Sequence, residues 1–493
     1  MGPSPNVSQL LLGFIAFEER EQLFERSLLS VQYWPLIRHD VFRETIESLG
    51  LAERAHLRVE ELPVKHWLGP QLQTLPTTLA RSRLAHAPAA DLLIAAHPRK
   101  VLHEGNYICP YSQPLLWGTT CSRVVLEGHF QGRYFAQGSG EVTRYVDATL
   151  VRAHAEFRLR ELRGAGLPKP AKHEVSALVE RLRGALGGAP PTAAVMRRVR
   201  TAVLSALGLL PRLERLLDAV RPRLVVEVVG YRLVNQLLTL AAHRRGLPVA
   251  ELQHGTLGAG HPGYNFALGR KPPSFPDYLL LFGDAWRATP GLPLDAEHTP
   301  AIGYGWLDLQ RARYAPSQRA APRRILFLSQ RGIGRELARV ASELRARLPQ
   351  QAFEIVYRLH PSEGIDWQTA YPELTHAGIR VERAEECALY ASQSSAHVQV
   401  GVYSTALLEG VAFGLETYLV ELPGHEQLAV LTSSRAANTV ADAEELAQQL
   451  QQPAATVQHV RAAESLWARG AALNFGRFLE GITGKPPAAA IFD

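Results

Sequence analysis

The segment ELQHGTLGAGHPGYNF, residues 251–266, places two histidines and four glycines directly after an apolar run. A predicted strand ends at Leu252, so the next residues lie at the carboxyl end of a strand, where parallel sheets bind their ligands. A histidine placed there can take a proton from a hydroxyl group at neutral pH. We therefore predict that His254 is catalytic. The alternative is a turn histidine that makes a structural hydrogen bond.

Four neighbours of this histidine are predicted to contact the molecule that carries this hydroxyl group. We call that molecule the acceptor, and this part of the site its acceptor side. Gly255 would let backbone N–H groups approach a ligand closely. The other three are Gln253, His261 and Tyr264.

A second candidate catalytic residue is Glu227, which follows the apolar run of the strand RLVVE. A carboxylate at this position could orient His254 or act as the base itself. The alternative is a strand-end carboxylate that caps the next helix.

Two motifs in the second half of the chain contain groups that bind phosphate. The motif RLHP ends the strand FEIVY, and its Arg358 and His360 could hold phosphates through charge-assisted hydrogen bonds. The alternative is a strand-end salt bridge. The loop after the strand RILFL contains Gln330, Arg331 and Gly332, and a glycine-containing loop that opens a helix can also face phosphate.

The motif GVYSTALLEG predicts a strand followed by a helix that begins near Ser404 and Thr405. The free N–H groups of a helix start carry partial positive charge and form a phosphate site. Glu409, about one turn later, could bond ribose hydroxyls. The alternative for the two hydroxyl residues is simple helix capping.

Alternating strand and helix patterns run from Pro222 onwards and restart after the segment SQRAAPRR, residues 317–324. They predict an α/β protein with two Rossmann-like, doubly wound units facing a cleft, and with an extra N-terminal α/β or α+β region. We predict the N-terminal region, of unclear role, over 1–165, with a helix over 40–49 and a strand over 91–96. We predict the acceptor-side unit over 174–316 and the donor-nucleotide unit over 322–480.

Composition excludes several classes of protein. The chain has 493 residues, a net charge of +6 and three cysteines without a CxxC pair, which disfavours a disulfide framework and a structural zinc site. It has no Walker P-loop and no DxD triplet, so we predict no metal and no cofactor. No basic block interleaved with aromatics indicates nucleic acid binding. We expect a cytoplasmic protein that could contact the inner face of the cell membrane peripherally.

The order QHGT, FGDAW, IGYGWLD, RLHP and GVYSTALLEGVAFGLETYLVE resembles the GT-B glycosyltransferase superfamily. Within it the chain is most similar to envelope-polysaccharide transferases, namely CDP-glycerol glycerophosphotransferases and the Kdo- and sialyl-type transferases of capsule or lipopolysaccharide synthesis. The resemblance covers about residues 222–450. Gln253 stands where the glycerophosphotransferases usually have tryptophan, which favours a sugar transferase with a CMP-, CDP- or UDP-linked donor.

The resemblance implies an inverting, metal-independent transfer of a sugar to a glycan or lipid-linked glycan. His254 would be the base or an acceptor-site residue, and Arg358 and His360 would bind the donor phosphates. Ser404 and Thr405 would bind phosphate at the helix start, and Glu409 would bind the nucleotide ribose. Two alternatives stay open: a GT-B-fold epimerase that acts on a sugar nucleotide alone, and a non-catalytic binding or scaffold protein of an envelope-assembly complex.

Overall fold

The computed structural model describes residues 6–51, 82–129, 134, 142–164, 167–315, 321–363, 366–452 and 462–487. The strands are β1 Ser27–Leu28, β2 Val31–Gln32, β3 Leu92–Ala95, β4 Val101–His103, β5 Asn106–Ile108, β6 Arg123–Glu127, β7 Val142–Tyr145, β8 Leu224–Val228, β9 Val249–Leu252, β10 Tyr278–Leu280, β11 Arg323–Leu328, β12 Phe353–Arg358, β13 Arg380–Glu382, β14 Val398–Gly401, β15 Glu416–Val420 and β16 Asn438–Val440.

The α-helices are α1 Val7–Arg20, α2 Trp34–Ser48, α3 Gln113–Leu116, α4 Asp147–Leu162, α5 Lys169–Ala185, α6 Thr192–Val220, α7 Leu233–His243, α8 Gly305–Arg313, α9 Gly334–Arg347, α10 Trp367–Ala370, α11 Pro372–His376, α12 Leu389–Ser395, α13 Thr405–Ala412, α14 Ala429–Ser433, α15 Ala443–Leu450 and α16 Ala471–Thr483. Short 3₁₀ helices span Leu84–His86, Asp284–Ala288 and His425–Leu428. Among the described residues, no helix is long and apolar enough to cross a membrane.

The first large sheet has the strand order β10-β9-β8-β3-β6-β7, and every neighbouring pair is parallel. The chain starts at the centre with β3, proceeds to the β7 edge, and returns to the centre at β8. The crossovers that leave β3 and β8 therefore run in opposite directions. A crevice opens at such a switch point, outside the carboxyl ends of the two central strands.

The second large sheet repeats this arrangement with the order β13-β12-β11-β14-β15-β16, again entirely parallel. Its switch point lies between β11 and β14. Strands such as β14, with the sequence VQVG, are buried along their whole length, as expected of strands covered by helices on both faces. The prediction of two doubly wound α/β units is confirmed.

The N-terminal region contributes to the first unit. Strands β3, β6 and β7 precede residue 165, yet they share a sheet with β8, β9 and β10. The sheet thus crosses the predicted division at residues 165–174. The sequence identified only the strand over 91–96; β6 and β7 have only five and four residues, too few to show a clear pattern. The helix predicted over 40–49 is present and begins earlier, at Trp34.

The last helix, α16, follows the second unit in the chain but packs on the first. Its Ala471, Phe475 and Leu479 are fully buried in a core cluster with residues of β3 and β8. Just beyond it, the Lys485 ammonium donates to Asp91 at 2.6 Å. The chain therefore crosses between the units twice, once before β11 and once before α16.

Candidate active site

His254 lies at the carboxyl edge of the first sheet, two residues after β9, with a side chain that is 13% exposed. Its Nε2 is 3.1 Å from the hydroxyl of Tyr231, and its Nδ1 is 3.4 Å from the hydroxyl of Tyr264. The ring of Tyr111 stands edge-on to the imidazole, with ring centroids 6.2 Å apart. Phenol rings from three separate segments of the first unit thus fix the orientation of His254.

Glu251, within β9, is a partner of His254 that the sequence analysis missed. Its Oε1 accepts a hydrogen bond of 2.6 Å from Tyr264 and one of 2.8 Å from the N–H of Gly230. The same oxygen is 3.7 Å from His254 Nδ1. The available signal was a glutamate inside the fully buried strand VAEL, because a buried carboxyl is rarely without a specific partner.

Burial determines the protonation states of His254 and Glu251. It lowers the pKa of His254 to about 3, with smaller contributions from His97, His39 and Arg232. The imidazole is therefore neutral at pH 7, but the same burial weakens it as a proton acceptor unless a neighbouring anion stabilises the imidazolium. Burial also raises the pKa of Glu251 to about 7, against the hydrogen bonds from Tyr264 and Gly230. An ionised Glu251 would favour the imidazolium and offset part of the burial effect on His254.

Glu227 lies directly opposite Glu251 on the neighbouring strand β8. It is fully buried, and one of its oxygens accepts from Thr239 at 3.2 Å while the other has no partner among the described residues. Burial, and then the neighbouring Glu251, raise its pKa well above the ordinary value. A base must come within hydrogen-bond distance of the proton it removes. Of the two predicted bases, therefore, only His254 can be reached from solvent in this structure.

The backbone beyond β8 is strained where it passes over the two carboxyls. Val229 has a φ of +67°, a value that a β-branched residue rarely adopts. Asn235 holds this turn by donating to the carbonyls of Val228 and Val229, at 2.8 and 3.1 Å. Gly230 follows, and a Cβ there would collide with Glu251 and Glu227. Such strain persists only where surrounding contacts enforce it, and it occurs often at functional sites.

The residues predicted to form the acceptor side have different roles. The Gln253 side chain donates to the carbonyl of Gly255 at 2.9 Å and accepts from the Phe282 N–H at 2.7 Å. It therefore stabilises the turn after β9 from the protein interior. His261 is held by the Gly263 N–H at 3.1 Å, and its ring centroid is 4.8 Å from that of Tyr264. His261 and Tyr264 therefore support His254, as part of one aromatic cluster.

The first two helices complete this cluster from far away in the sequence. The His39 ring stacks on Tyr231 with centroids 4.1 Å apart. Arg38 is buried, pairs with Glu18, and donates to the carbonyls of Pro262 and Asn265 in the loop after His254. Part of the region of unclear role thus supports the candidate site.

In the second unit, the structure brings two of the predicted motifs together at the switch point. The side chain of Gln330, after β11, accepts from the N–H of Tyr403, after β14, at 3.2 Å. The Tyr403 hydroxyl donates to the carbonyl of Arg331 at 3.3 Å. Gly332, in the same loop, has a φ of +94°. The loop over 330–332 and the start of α13 therefore border one crevice.

The start of α13 is a helix terminus without a side-chain cap. Ser404 stands at its N-cap position, but its hydroxyl makes no capping hydrogen bond. Thr405, the first helical residue, is exposed. The free N–H groups of this helix start consequently have no side-chain acceptor from the cap residue itself.

Arg358 and His360 occupy different environments. The Arg358 guanidinium is buried and donates to Ser392 at 3.0 Å and to the Cys387 carbonyl at 2.8 Å, with Glu382 at 3.6 Å. These contacts direct it into the second unit, so the predicted role in phosphate binding is not the one its geometry supports. His360 is exposed, and its Nδ1 lies 2.7 Å from Ser362.

Glu409 lies on α13 where the two units meet. Burial raises its pKa to about 7, while a hydrogen bond from Tyr390 and the charge of Arg99 in the first unit act in the opposite direction. The indole of Trp306 donates to the same Tyr390 at 3.1 Å. Tyr111, the edge-on neighbour of His254, stacks on Tyr304 with ring centroids 5.7 Å apart, and Tyr304 stacks on Trp467 at 6.1 Å. The indole of Trp467 donates to the carbonyl of Leu408 on α13 at 2.8 Å, so a row of aromatic rings joins the surroundings of His254 to this helix.

Within the described ranges, no three His, Cys, Asp or Glu side chains are grouped so that they could hold a metal ion. The second crevice is bordered by the side chains of Gln330 and Tyr403 and by the backbone of the loop over 330–332.

Comparisons with known proteins find similarity only to solved structures, and at low values. No protein-family model and no curated protein matches it. Similar solved structures include the glycotransferase of kitacinnamycin, with 13% identity over 80% of this chain and 99% of that chain and a TM-score of 0.46. A UDP-N-acetylglucosamine 2-epimerase has 11% identity over 82% and 100%, with a TM-score of 0.44. MurG of Acinetobacter baumannii has 14% identity over 58% and 79%, with a TM-score of 0.40. At these values the fold class rests on the two sheets themselves.

Proposed function

We propose that the protein is an inverting glycosyltransferase that moves a sugar from a nucleotide-activated donor to an acceptor hydroxyl. One observation supports this proposal: an oriented histidine at the first switch point is linked, through aromatic contacts at the junction of the units, to a helix at the second whose cap residue makes no side-chain hydrogen bond. A transferase needs a proton acceptor and a phosphate-binding group on opposite sides of the reacting carbon.

In this reaction the acceptor oxygen attacks the anomeric carbon, and the bond between that carbon and the phosphate oxygen breaks. The proton of the acceptor hydroxyl passes to the imidazole of His254, and the nucleotide leaves with the bonding electrons. Glu251, 3.7 Å from Nδ1, stabilises the imidazolium that forms and holds its ring. We regard Glu251 as a positioning residue, because it is 1% exposed and does not reach the substrate.

The leaving phosphate is assigned to the second switch point. The backbone N–H groups at Ser404 and Thr405, with Gln330, Arg331 and Gly332, would stabilise its charge. His360 lies at the end of β12, next to β11, and is exposed toward solvent. These protein groups could stabilise the leaving phosphate without a metal, and metal independence is part of the proposal.

The donor base and the acceptor are assigned on the sequence resemblance alone. We propose a CMP-, CDP- or UDP-linked sugar and a glycan or lipid-linked glycan of envelope polysaccharide synthesis. Arg358 is not among the phosphate ligands that we propose, because its donors are occupied inside the second unit.

The experiment that tests this function is a thermal-shift panel with CMP, CDP, UDP, GDP and ADP, each with and without EDTA. Nucleotide at 100 times its Kd should stabilise the protein by about 2.7 kcal/mol. We expect one nucleotide to stabilise it independently of EDTA, and to do so equally in His254→Ala, which lies in the other unit. Stabilisation by none of them would indicate a binding or scaffold protein instead. Consumption of the matching sugar nucleotide without any acceptor would indicate an epimerase.

A further inference from the structure

The loop after β12 is tied to the loop after β11 by the carboxylate of Glu363. Its Oε1 accepts a hydrogen bond of 2.8 Å from the hydroxyl of Ser329, and its Oε2 accepts one of 2.6 Å from the backbone N–H of His360. Ser329 directly precedes Gln330, whose side chain accepts from the N–H of Tyr403 at the second switch point. The contacts of Glu363 therefore place the backbone of His360 beside the loop that borders the second crevice.

Two tyrosines and a glycine enclose this carboxylate. The hydroxyl of Tyr371 donates to the same Glu363 Oε1 at 2.7 Å. The hydroxyl of Tyr357 donates to the carbonyl of Gly334 at 2.8 Å and lies 3.0 Å from Ser329 Oγ. Gly334 is the first residue of α9, and a Cβ on it would collide with the Tyr371 hydroxyl and with Glu363 Oε1. An ionised carboxylate offers only acceptors, so it suits a position where three donors converge.

The imidazole of His360 is oriented by Ser362. Its Nδ1 accepts a hydrogen bond of 3.1 Å from the backbone N–H of Ser362, and the hydroxyl of Ser362 lies 2.7 Å from the same atom. Because Nδ1 acts as an acceptor, the ring proton is on Nε2. His360 is exposed, and among the described residues its Nε2 has no hydrogen-bond partner. The exposed edge of the ring therefore presents one N–H donor.

We propose that Glu363 and Ser362 are positioning residues, which hold His360 so that its Nε2–H donates to a phosphate oxygen of the bound nucleotide. This inference rests on the proposed function, since it assumes that the donor phosphates occupy the second switch point. A donor that is already held in place stabilises charge on the leaving phosphate without losing side-chain freedom on binding. Glu363 fixes the backbone from which the ring extends, and Ser362 fixes which ring nitrogen donates.

The choice of ring nitrogen is tested by two substitutions of His360, which is exposed and can be replaced without loss of the fold. A glutamine amide can donate from about the position of Nε2, whereas the shorter asparagine reaches only about as far as Nδ1. Isothermal titration of the full chain with CMP, CDP and UDP measures nucleotide affinity. For the nucleotide that binds most tightly, we expect His360→Asn to weaken binding by about tenfold and His360→Gln by less than about threefold.

The control for these two variants is His376→Asn, at an exposed histidine on α11 of the same unit, and it should leave the affinity unchanged. Binding that is weakened as much in His360→Gln as in His360→Asn, or more, would overturn the assignment of Nε2–H as the donor.

The role of Glu363 is tested by a double-mutant cycle with His360. Glu363→Met keeps about the same side-chain length but removes both acceptor oxygens. It should weaken nucleotide binding by about tenfold in the otherwise unchanged chain, but by less than about twofold in His360→Ala, because Glu363 acts through His360. An equal loss in both chains would overturn the proposal, since Glu363 would then only stabilise the surrounding fold. Glu373→Met, at a partly buried glutamate of the same unit, is the matched control.

Backbone amide exchange without nucleotide separates this inference from the proposed function. Glu363→Met should speed exchange of the His360 amide by about tenfold or more, because that N–H loses its acceptor. Glu363→Gln should leave it nearly unchanged, because its amide oxygen can still accept that N–H while the hydroxyls of Ser329 and Tyr371 turn to accept from its NH₂ group.

Unchanged exchange in Glu363→Met would reject the positioning of His360, whatever the nucleotide result. Faster exchange in a protein that binds none of the three nucleotides would reject the proposed transferase, and with it phosphate as the ligand of His360, but would retain the positioning.

Discussion

The buried carboxyls of Glu227 and Glu251, which lie beneath Gly230, have pKa values well away from the ordinary range. Glu227 and Glu251 face each other on adjacent strands, and burial raises the pKa of both. Two neighbouring carboxyls in a core do not both ionise readily, so at least one proton is retained between them near neutral pH. Glu251, which accepts the hydrogen bond from Tyr264, is the carboxyl near His254, so its ionisation depends on the charge of His254.

This arrangement predicts a pH dependence of folding stability. A carboxyl with a raised pKa binds its proton more tightly in the folded state than in the unfolded state. The free energy of unfolding therefore falls as pH rises above 4.5, the pKa of the carboxyl in the unfolded chain. Glu227→Gln should therefore reduce the loss of unfolding free energy between pH 5 and pH 8, by about 1 kcal/mol or more. Urea unfolding at the two pH values measures this. Glu480→Gln, an exposed glutamate, is the control, and an unchanged pH dependence in Glu227→Gln would refute the pairing.

At the scale of elements, the first N–H groups of α13 receive no hydrogen-bond acceptor from the side chain of their own cap residue. The N-cap preference for serine normally reflects a side-chain hydrogen bond, which Ser404 does not make. By contrast, Asp442 caps α15 through bonds to the N–H groups of Glu444 and Glu445, at 2.9 and 3.0 Å. Asp442 thus caps the first N–H groups of its helix, whereas Ser404 makes no such bond to the N–H groups of α13.

The two caps give a paired prediction. Ser404→Ala should change the unfolding free energy by less than about 0.5 kcal/mol, because no capping bond is lost, but it should weaken nucleotide binding by about tenfold. Asp442→Ala should do the opposite, with a loss of about 1 kcal/mol of stability and unchanged nucleotide binding. Chemical denaturation and nucleotide titration measure the two effects. Unchanged nucleotide affinity in Ser404→Ala would remove α13 from the donor site.

The sequence predicted these elements and their motifs where the signal is local. An apolar strand followed by glycine, or by a hydroxyl residue and a helix, is visible within about ten residues, and His254 and Ser404 were predicted as site residues on that basis. The contacts of Arg358 with Ser392 and Cys387 were not visible, because they join residues from different elements. His39 lies more than two hundred residues before His254 in the chain, so only the folded structure could place it in the site.

At the scale of the whole molecule, α16 makes the two units depend on each other. It follows the second unit in sequence, yet Phe475 is fully buried against the first sheet. The sequence did not predict this crossing, since the amphipathic pattern of α16 specifies that it packs but not on which sheet.

Removal of the Phe475 ring should therefore destabilise the first unit. We expect Phe475→Ala to lower its unfolding free energy by about 3–5 kcal/mol, the usual range for a buried phenylalanine. Leu473→Ala is the matched control, because Leu473 lies on the same helix and is 46% exposed. Urea unfolding followed by circular dichroism measures both. Equal effects of the two substitutions would show that α16 does not hold the first unit.

The central claim is that a nucleotide binds at the second switch point, opposite His254. The most direct measurement is backbone amide hydrogen exchange of the full chain, with and without the nucleotide that stabilises it. The account predicts slower exchange over residues 329–334 and 402–406, with little change around His254 when nucleotide alone is added. Protection confined to the first unit, or none over these two segments, would contradict it.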